Sequence, residues 1–180
     1  MIASEIAHAL FHAPSLREGG TIDSLVPHRP GFYCILLKDT SQLPEPFYAE
    51  LQRRETQIIY VGLASKSLKT RFLGNELRGK SHGTFFRSLG AVLGYRPLPG
   101  SLKNKVNKRN FKFSRESEQQ IVAWINDNLL VNWVICHSEL DALETHLIQQ
   151  YTPPLNLAKN PQRLATLTAL RQECVRIANC

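Results

Sequence analysis

Three short apolar runs limit how this chain can fold. They are GFYCILLK (31–38), QIIYVG (57–62) and the run that covers 130–137, and all are rich in β-branched and aromatic residues. Runs of this length and composition, bounded by Gly, Pro or polar clusters, are typical of buried β-strands. A connection of modest length joins the first two, so they most simply pair antiparallel. The pattern predicts an α/β (α+β) fold with a small three-stranded sheet that is antiparallel at its centre.

The segments around these strands have helical patterns. Ser114 precedes a run with Glu118 in its first turns, and Ser138 stands three residues before Asp141, which are N-terminal capping signals. Flanking helices are therefore predicted over residues 3–12, 65–79, 84–95, 114–128, 138–151 and 161–178, with an exposed basic loop over 96–113. The expected organisation is an N-terminal helix and lead-in segment (1–30), a core domain (31–157) and a C-terminal helix packed on that domain (158–180).

Positive charge is concentrated in the middle of the sequence. The chain has 180 residues and a formal net charge of +7, and residues 66–115 hold 13 Lys or Arg against one acid, Glu76. The remainder holds 9 basic and 14 acidic residues. This distribution is expected of a surface that binds a polyanion such as nucleic acid, although a solvated basic face that binds nothing would have the same composition.

The composition disfavours several other classes of protein. No apolar run approaches the ~18 residues that cross a bilayer, and the N-terminus lacks the basic start and apolar core of a signal peptide. The four cysteines include no CxxC pair, which argues against a structural zinc site. We therefore expect a cytoplasmic protein with reduced thiols.

Glu144 lies within an apolar stripe of the 138–151 segment. It falls four residues after Leu140 and three before Leu147, so on a helix it shares their face. A carboxylate there is costly unless it is paired, hydrogen-bonded or bound to a metal ion. When Glu144 is considered alone, the simpler explanation is a position at the edge of the stripe, where its carboxylate reaches solvent or pairs with an arginine. The basic central segment favours a metal ion that faces a bound phosphate.

The strand motifs and several downstream residues together resemble the GIY-YIG nuclease superfamily. GFY at 31–33 and IYVG at 59–62 are similar to the paired strand motifs of that family. Arg71 on the next predicted helix, Glu144 on a late helix and Asn156 in PPLNL follow in the family's order. Each short motif is weak alone, but five elements in this order over most of the chain are specific.

The resemblance implies a metal-dependent endonuclease that hydrolyses phosphodiester bonds in DNA, with residues 31–157 as its nuclease domain. Glu144 would be the metal ligand, for Mg²⁺ or Mn²⁺. Arg71 would bind the scissile phosphate with its planar fork. Tyr33 and Tyr60 match the motif tyrosines, and Tyr60 would act as general base or water positioner. The base role requires a phenol pKa well below its ordinary value of ~10, and for Tyr33 packing within the strand competes with a catalytic role.

The residues after Arg71 depart from the family pattern. Some members carry a histidine four residues after the arginine, where this chain has Asn75, which cannot act as an acid or base at neutral pH. His82, 11 residues after Arg71, would then take the acid–base role, although an exposed loop or helix-capping position explains it equally well. Asn156 follows two prolines and is expected to orient Glu144 or the backbone rather than to react.

Basic and amide side chains of the central segment are predicted to contact nucleic acid, and they are Lys66, Lys69, Asn75, Arg78, Lys80, Arg87, Lys103, Lys105, Lys108 and Arg109. These side chains suit contacts to backbone phosphates better than contacts that recognise individual bases. Gly62 is expected to let the chain turn closely past a phosphate. The predicted partner is DNA, and the sequence does not distinguish DNA from RNA. A homodimer is one way in which the protein would recognise a longer DNA sequence. The alternative function is a catalytically weak or inactive nucleic-acid-binding module of the same fold.

Overall fold

The computed structural model describes residues 2–137 and 140–180. Its helices are α1 (Ala3–Phe11), α2 (Phe47–Arg53), a π-helix (Lys69–Leu77), α3 (Thr84–Val92), α4 (Arg115–Asn128), α5 (Leu140–Tyr151) and α6 (Ala165–Asn179). Its strands are β1 (Arg17–Glu18), β2 (Gly31–Leu37), β3 (Ile58–Ala64) and β4 (Leu129–Ile135). Within the described residues, no helix is both long enough and apolar enough to cross a membrane.

The strands form one antiparallel sheet in the order β1–β4–β2–β3. Central β2 pairs with β3 and with β4, so the predicted antiparallel centre is confirmed. The prediction of three strands is wrong, because β1 adds a fourth strand opposite Leu130 and Val131 of β4. Both residues of β1 are exposed. Such a short polar strand has no apolar pattern, and it forms only because the folded chain brings it beside β4.

The strand ends also differ from prediction, most informatively in β3. This strand was expected to end at Gly62, but it continues to Ala64 with Gly62 inside the ladder opposite Tyr33. β4 ends at Ile135 rather than at 137. The backbone partners on β2 fix these ends, and a single sequence does not reveal them.

Helices cover both faces of the sheet, which explains why β2 is buried along its whole length. Alternate side chains of a strand point to opposite faces. Phe32 and Cys34 pack in a cluster with α1 and α5. Tyr33 and Ile35 belong to a larger core formed with the π-helix, α3, α4 and α6. A strand covered on both sides therefore has a continuous apolar sequence.

The helix predicted over 65–79 is a π-helix of nine residues. In such a helix the backbone bonds span five residues, as when the Arg78 N–H donates to the Leu73 carbonyl at 3.0 Å. The hydroxyl of Ser67, which lies just before this helix, accepts the N–H of Thr70 at 3.2 Å. Single π-helical segments often occur at functional sites, and this one carries the predicted phosphate-binding arginine.

Capping chemistry sets the start of α4. The Ser114 hydroxyl accepts the N–H of Ser117 at 3.2 Å, so the predicted N-cap is confirmed. The Glu118 side chain does not close a capping box, because it bonds to His82. The predicted cap of α5, Ser138, lies outside the described residues.

The C-terminal helix is part of the main core. Leu167, Cys174 and Ala178 of α6 are fully buried with residues of α3 and the sheet. The helix begins at Ala165, four residues later than predicted, because residues 161–162 form a turn and Leu164 has an extended backbone. Because α6 packs against α3, side chains of these two helices lie next to each other on this face of the sheet.

Candidate active site

Tyr33 and Tyr60 lie on neighbouring strands and on the same face of the sheet. Their ring centroids are 6.2 Å apart, and Tyr33 also stacks on Phe72 of the π-helix at 4.6 Å. Tyr33 is fully buried and Tyr60 is 6 % exposed. The two motif tyrosines and the π-helix therefore form one aromatic layer.

Gly62 makes room for this layer. A Cβ atom on Gly62 would lie 2.5 Å from both Cζ and the hydroxyl oxygen of Tyr33, which is its cross-strand partner. Any side chain there would displace the tyrosine ring. The expectation that Gly62 turns the chain past a phosphate is therefore wrong, since the glycine is needed inside a strand to admit an aromatic ring.

Arg71 makes an ion pair with Glu76 that the sequence did not predict. An Arg71 terminal nitrogen lies 3.0 Å from Glu76 Oε1, and the Arg71 side chain is 40 % exposed whereas Glu76 is fully buried. Glu76 Oε2 accepts the backbone N–H groups of Phe85 and Phe86 at 2.8 and 3.3 Å, at the start of α3. A carboxylate is stabilised there by the free N–H groups and the helix dipole. Arg71 is thus held on one side and open to solvent on the other.

One feature of the sequence distinguishes Glu76. It is the single acidic residue in the segment 66–115, which also contains 13 basic residues. The position of the Glu76 carboxylate also depends on Gly83, because a Cβ atom on Gly83 would lie 2.0 Å from Glu76 Oε2. Burial raises the pKa of the Glu76 carboxyl, while Arg71 and the two amide N–H groups oppose that rise. The side chain thus connects the π-helix to α3 at the candidate site.

Both phenols are weaker acids than a free tyrosine. Burial raises the pKa of Tyr33 and of Tyr60, the charge of Glu76 adds to the rise, and Arg71 opposes it. The Tyr33 hydroxyl is buried beside the Arg71 guanidinium, yet it makes no well-formed hydrogen bond with any residue that the structure describes. The negative charge of Glu144 acts on both tyrosines as well. Both phenols are therefore protonated at neutral pH in this arrangement.

Glu144 projects from α5 toward this group and is paired with a lysine. Its side chain is 18 % exposed, and its Oε2 atom lies 2.7 Å from Nζ of Lys159. Lys159 also contacts Asp141, which stands one turn earlier, at 2.6 Å. The neighbouring stripe residues Leu143 and Leu147 are buried. Glu144 therefore lies at the edge of the apolar stripe, and its partner is a lysine rather than the expected arginine.

Asn156 bonds to the backbone of the strand that carries Tyr60. Its side-chain oxygen accepts the N–H of Val61 at 3.0 Å, and its side-chain nitrogen donates to the Val61 carbonyl at 2.8 Å. The Leu155 N–H donates to the Ile59 carbonyl at 3.0 Å. β3 is an edge strand, so the 155–156 segment satisfies backbone groups that the sheet leaves unpaired. Asn156 fixes the backbone next to Tyr60.

His82 lies away from the tyrosines, in a contact between α3 and α4. Its Nδ1 accepts the N–H of Phe113 at 3.1 Å, so Nε2 carries the proton and donates to Glu118 at 2.8 Å. The ring packs on Phe86 and Phe113, and the residue is 1 % exposed. Burial lowers the pKa of His82, although Glu118 acts in the opposite direction. These contacts hold the loop before α3 against α4.

The predicted nucleic-acid contacts differ in their exposure to solvent. Exposed side chains are Lys66, Lys80, Lys103, Lys105, Lys108 and Arg109, and half-buried ones are Lys69 and Asn75. Arg78 is tied to Asp23 and donates to the Gly19 carbonyl at 2.7 Å. Arg87 is buried at 8 % exposure. Arg78 is therefore engaged within the protein, whereas most of the others face solvent.

The donor set at Glu144 fits a hard divalent cation that keeps water ligands. In the part of the chain that the structure describes, no group of three or more His, Cys, Asp or Glu side chains could hold a metal ion. Glu144 and the nearby Asp141 offer carboxylate oxygens, both in contact with Lys159. Mg²⁺ is usually bound by one or two carboxylates, with waters and substrate phosphates as further ligands. These residues suit such a cation beside a phosphate, provided that Lys159 releases Glu144.

Comparison with known proteins places the chain in a family. The family model described as the GIY-YIG catalytic domain matches residues 31–173. No curated protein and no solved structure gave a significant match. The match spans more than half of the chain, from the start of β2 into α6, and includes both tyrosine strands, the π-helix and α5. The chain belongs to the GIY-YIG catalytic domain family.

Proposed function

We propose that this protein is a metal-dependent endonuclease that hydrolyses phosphodiester bonds in DNA. The observation that carries the proposal is the convergence of Tyr33, Tyr60, Arg71 and Glu144 from two strands and two helices. The two tyrosine rings stack with centroids 6.2 Å apart, and the charges of Arg71 and Glu144 act on both phenols. A nuclease needs a phosphate ligand, a group that positions water and a carboxylate for a cation, and this cluster contains one of each.

Arg71 is the phosphate ligand. Its guanidinium is fixed by Glu76 at 3.0 Å and remains 40 % exposed, so it offers donors to a phosphate from a preset position. A planar fork suits the bidentate binding of phosphate, and a preorganised cation stabilises charge that develops during attack. Glu76 acts through Arg71 as a positioning residue.

Tyr60 is the residue that positions the attacking water. Burial keeps its phenol protonated, so it serves as a hydrogen-bonding group and does not withdraw a proton in this state. Asn156 holds the backbone next to Tyr60 through its two hydrogen bonds to Val61. The buried hydroxyl of Tyr33, with no described partner, supplies a second polar group for the same water or phosphate.

Glu144 is the cation ligand. A divalent cation bound there would polarise the scissile phosphate and stabilise the leaving oxygen. Lys159 neutralises the carboxylate until it is displaced, after which its ammonium group is free to contact the substrate backbone. Asp141 retains Lys159 nearby because it contacts the same nitrogen at 2.6 Å.

The direct test is nicking of supercoiled plasmid with Mg²⁺ or Mn²⁺ by the wild type and by Glu144→Gln. We expect cleavage to fall by more than about a hundredfold, since even groups that only orient a metal ligand contribute about 10–100-fold. Glu116→Gln is the matched control because Glu116 is an exposed acid at the start of α4.

The alternative, an inactive nucleic-acid-binding module, is favoured by two observations. Glu144 is already neutralised by Lys159, and no described histidine joins the tyrosine cluster. Binding of DNA without cleavage under either metal would establish this alternative and refute the nuclease proposal. Cleavage that survives Glu144→Gln would refute the assigned role of the carboxylate.

A further inference from the structure

A basic cavity of about 720 Å³ lies between α3, α6 and the 96–113 loop. Four arginines line it, namely Arg87 of α3, Arg109 of the loop, and Arg171 and Arg176 of α6. None of the described residues that line the cavity is acidic. The cavity therefore gathers four positive charges from three separate segments.

The four arginines have no acidic partner among the described residues. None of the four makes an ion pair with a described acidic residue, and the buried Nε atoms of Arg87 and Arg171 have no hydrogen-bond partner among the described residues. Arg87 is only 8 % exposed, so water does not readily replace the missing partner. Buried guanidinium groups with unpaired Nε atoms raise the free energy of the folded state, and the nearby charge of Glu76 offsets only part of that cost because Glu76 is already paired with Arg71. An anion in the cavity would remove that cost.

Arg171 is held in place for such a ligand. Its Nη1 donates to the Thr84 carbonyl at 2.9 Å and to the Ser88 hydroxyl at 3.0 Å, and its guanidinium lies 5.4 Å from the centre of the Phe111 ring. Burial, followed by the positive charge of Arg87, lowers the pKa of Arg171 to about 10. The guanidinium is still charged at neutral pH, and its free Nε is fixed beside Arg87.

The cavity adjoins the candidate active site. Leu157, which lines it, follows Asn156 directly. The charge of Arg171 acts on Tyr60, and that of Arg87 acts on Glu76, Arg71 and Tyr60. A nucleic-acid strand with one phosphate at Arg71 would therefore carry others past this cavity.

We propose that this cavity is a second phosphate-binding site, formed by Arg87, Arg109, Arg171 and Arg176, that holds a backbone phosphate of the DNA strand beyond the one that is cleaved. The inference rests on the proposed function. In this proposal α6 completes the DNA-binding surface. The same phosphoryl chemistry could come from a free nucleotide, since cavities of about 300–1,000 Å³ also bind small molecules.

The experiment measures DNA binding by fluorescence anisotropy in EDTA, so that cleavage plays no part. The variant is Arg109→Gln/Arg176→Gln, because both side chains are exposed and their replacement leaves the core intact. The matched control is Arg17→Gln/Arg163→Gln, which removes two exposed arginines outside the cavity. A second variant, Arg171→Lys, keeps the charge of that residue but removes its planar fork.

We expect the cavity variant to bind duplex DNA about tenfold more weakly, with little change in the control. The slope of log K against log salt should fall by about 1 for each DNA phosphate that the variant no longer neutralises. Calorimetry with inorganic phosphate and with a deoxynucleoside monophosphate distinguishes the two sources. If the nucleotide binds the wild type tightly and the cavity variant keeps full DNA affinity, the cavity is a nucleotide site and the strand proposal is overturned.

The outcomes also separate this inference from the proposed function. Equal DNA affinities and equal salt slopes for cavity variant and control, with plasmid cleavage by the wild type intact, would overturn the inference alone. A wild type that neither binds nor cleaves DNA would overturn both.

Discussion

Replacing Asn156 by alanine tests how the edge of β3 is held beside Tyr60. The change removes the two buried hydrogen bonds to Val61, at 3.0 and 2.8 Å, and leaves the Val61 N–H and carbonyl unpaired. A net contribution of about 1 kcal/mol per bond is the lower limit, and an unsatisfied buried group costs about 1–3 kcal/mol. We therefore expect the free energy of unfolding to fall by about 2–6 kcal/mol, or the Tm by about 4–24 °C for a chain of this size.

Urea unfolding followed by far-UV circular dichroism measures this loss. Asn104→Ala is the control, since Asn104 is exposed in the 96–113 loop and makes no side-chain hydrogen bond with a described residue. Asn156→Asp should not restore stability, because a carboxylate accepts the Val61 N–H but repels the Val61 carbonyl. A loss below about 1 kcal/mol for Asn156→Ala would show that water forms hydrogen bonds with the Val61 N–H and carbonyl, and that Asn156 does not fix this strand.

Three further changes address the packing, the ion pair and the buried histidine. Gly62→Ala should lower the free energy of unfolding by about 1–3 kcal/mol because its Cβ would lie 2.5 Å from the Tyr33 ring. The loss should be smaller when Tyr33 is replaced by leucine. An equal loss in both backgrounds would contradict a steric clash with the tyrosine. Glu76→Gln should cost about 1–3 kcal/mol in chemical denaturation, since the amide still accepts an N–H but no longer pairs with Arg71; a neutral result would mean that the pair adds nothing to stability. Burial lowers the pKa of His82, so the stability from its neutral ring is complete above the unfolded value of about 6.5 and is lost as the pH falls through the lower folded pKa. His82→Asn should flatten this dependence in unfolding experiments, and an unchanged pH profile would exclude His82 as its source.

The positions of the main strands could be predicted because their signals are local. β2 and β3 are apolar runs bounded by Gly, Pro and polar residues, and burial on both faces of the sheet imposes such a run. The family was also accessible, because its motifs are short and follow a fixed order along the chain. The roles of the predicted site residues remain predictions until the variants are measured.

Other features left little or no local signal. β1 is two exposed residues, whose pairing with β4 exists only in the folded chain. Glu76 and Lys159 carry charges that could have faced solvent, and their partners are set by how the π-helix meets α3 and how α5 meets the 153–160 segment. A pair of charges separated in sequence has no periodicity to detect.

The sequence by itself determined the central strands, most of the helical segments and the membership of a nuclease family, whereas the short helix α2 was not predicted. Only the tertiary structure decided that Gly62 admits a tyrosine ring, that His82 bridges α3 and α4, and that Arg87 and Arg171 meet in one basic cavity. The physical reason is that apolar burial is recorded residue by residue along each strand and helix. Electrostatic and steric contacts depend on distances between segments, and those distances exist only after the segments have packed.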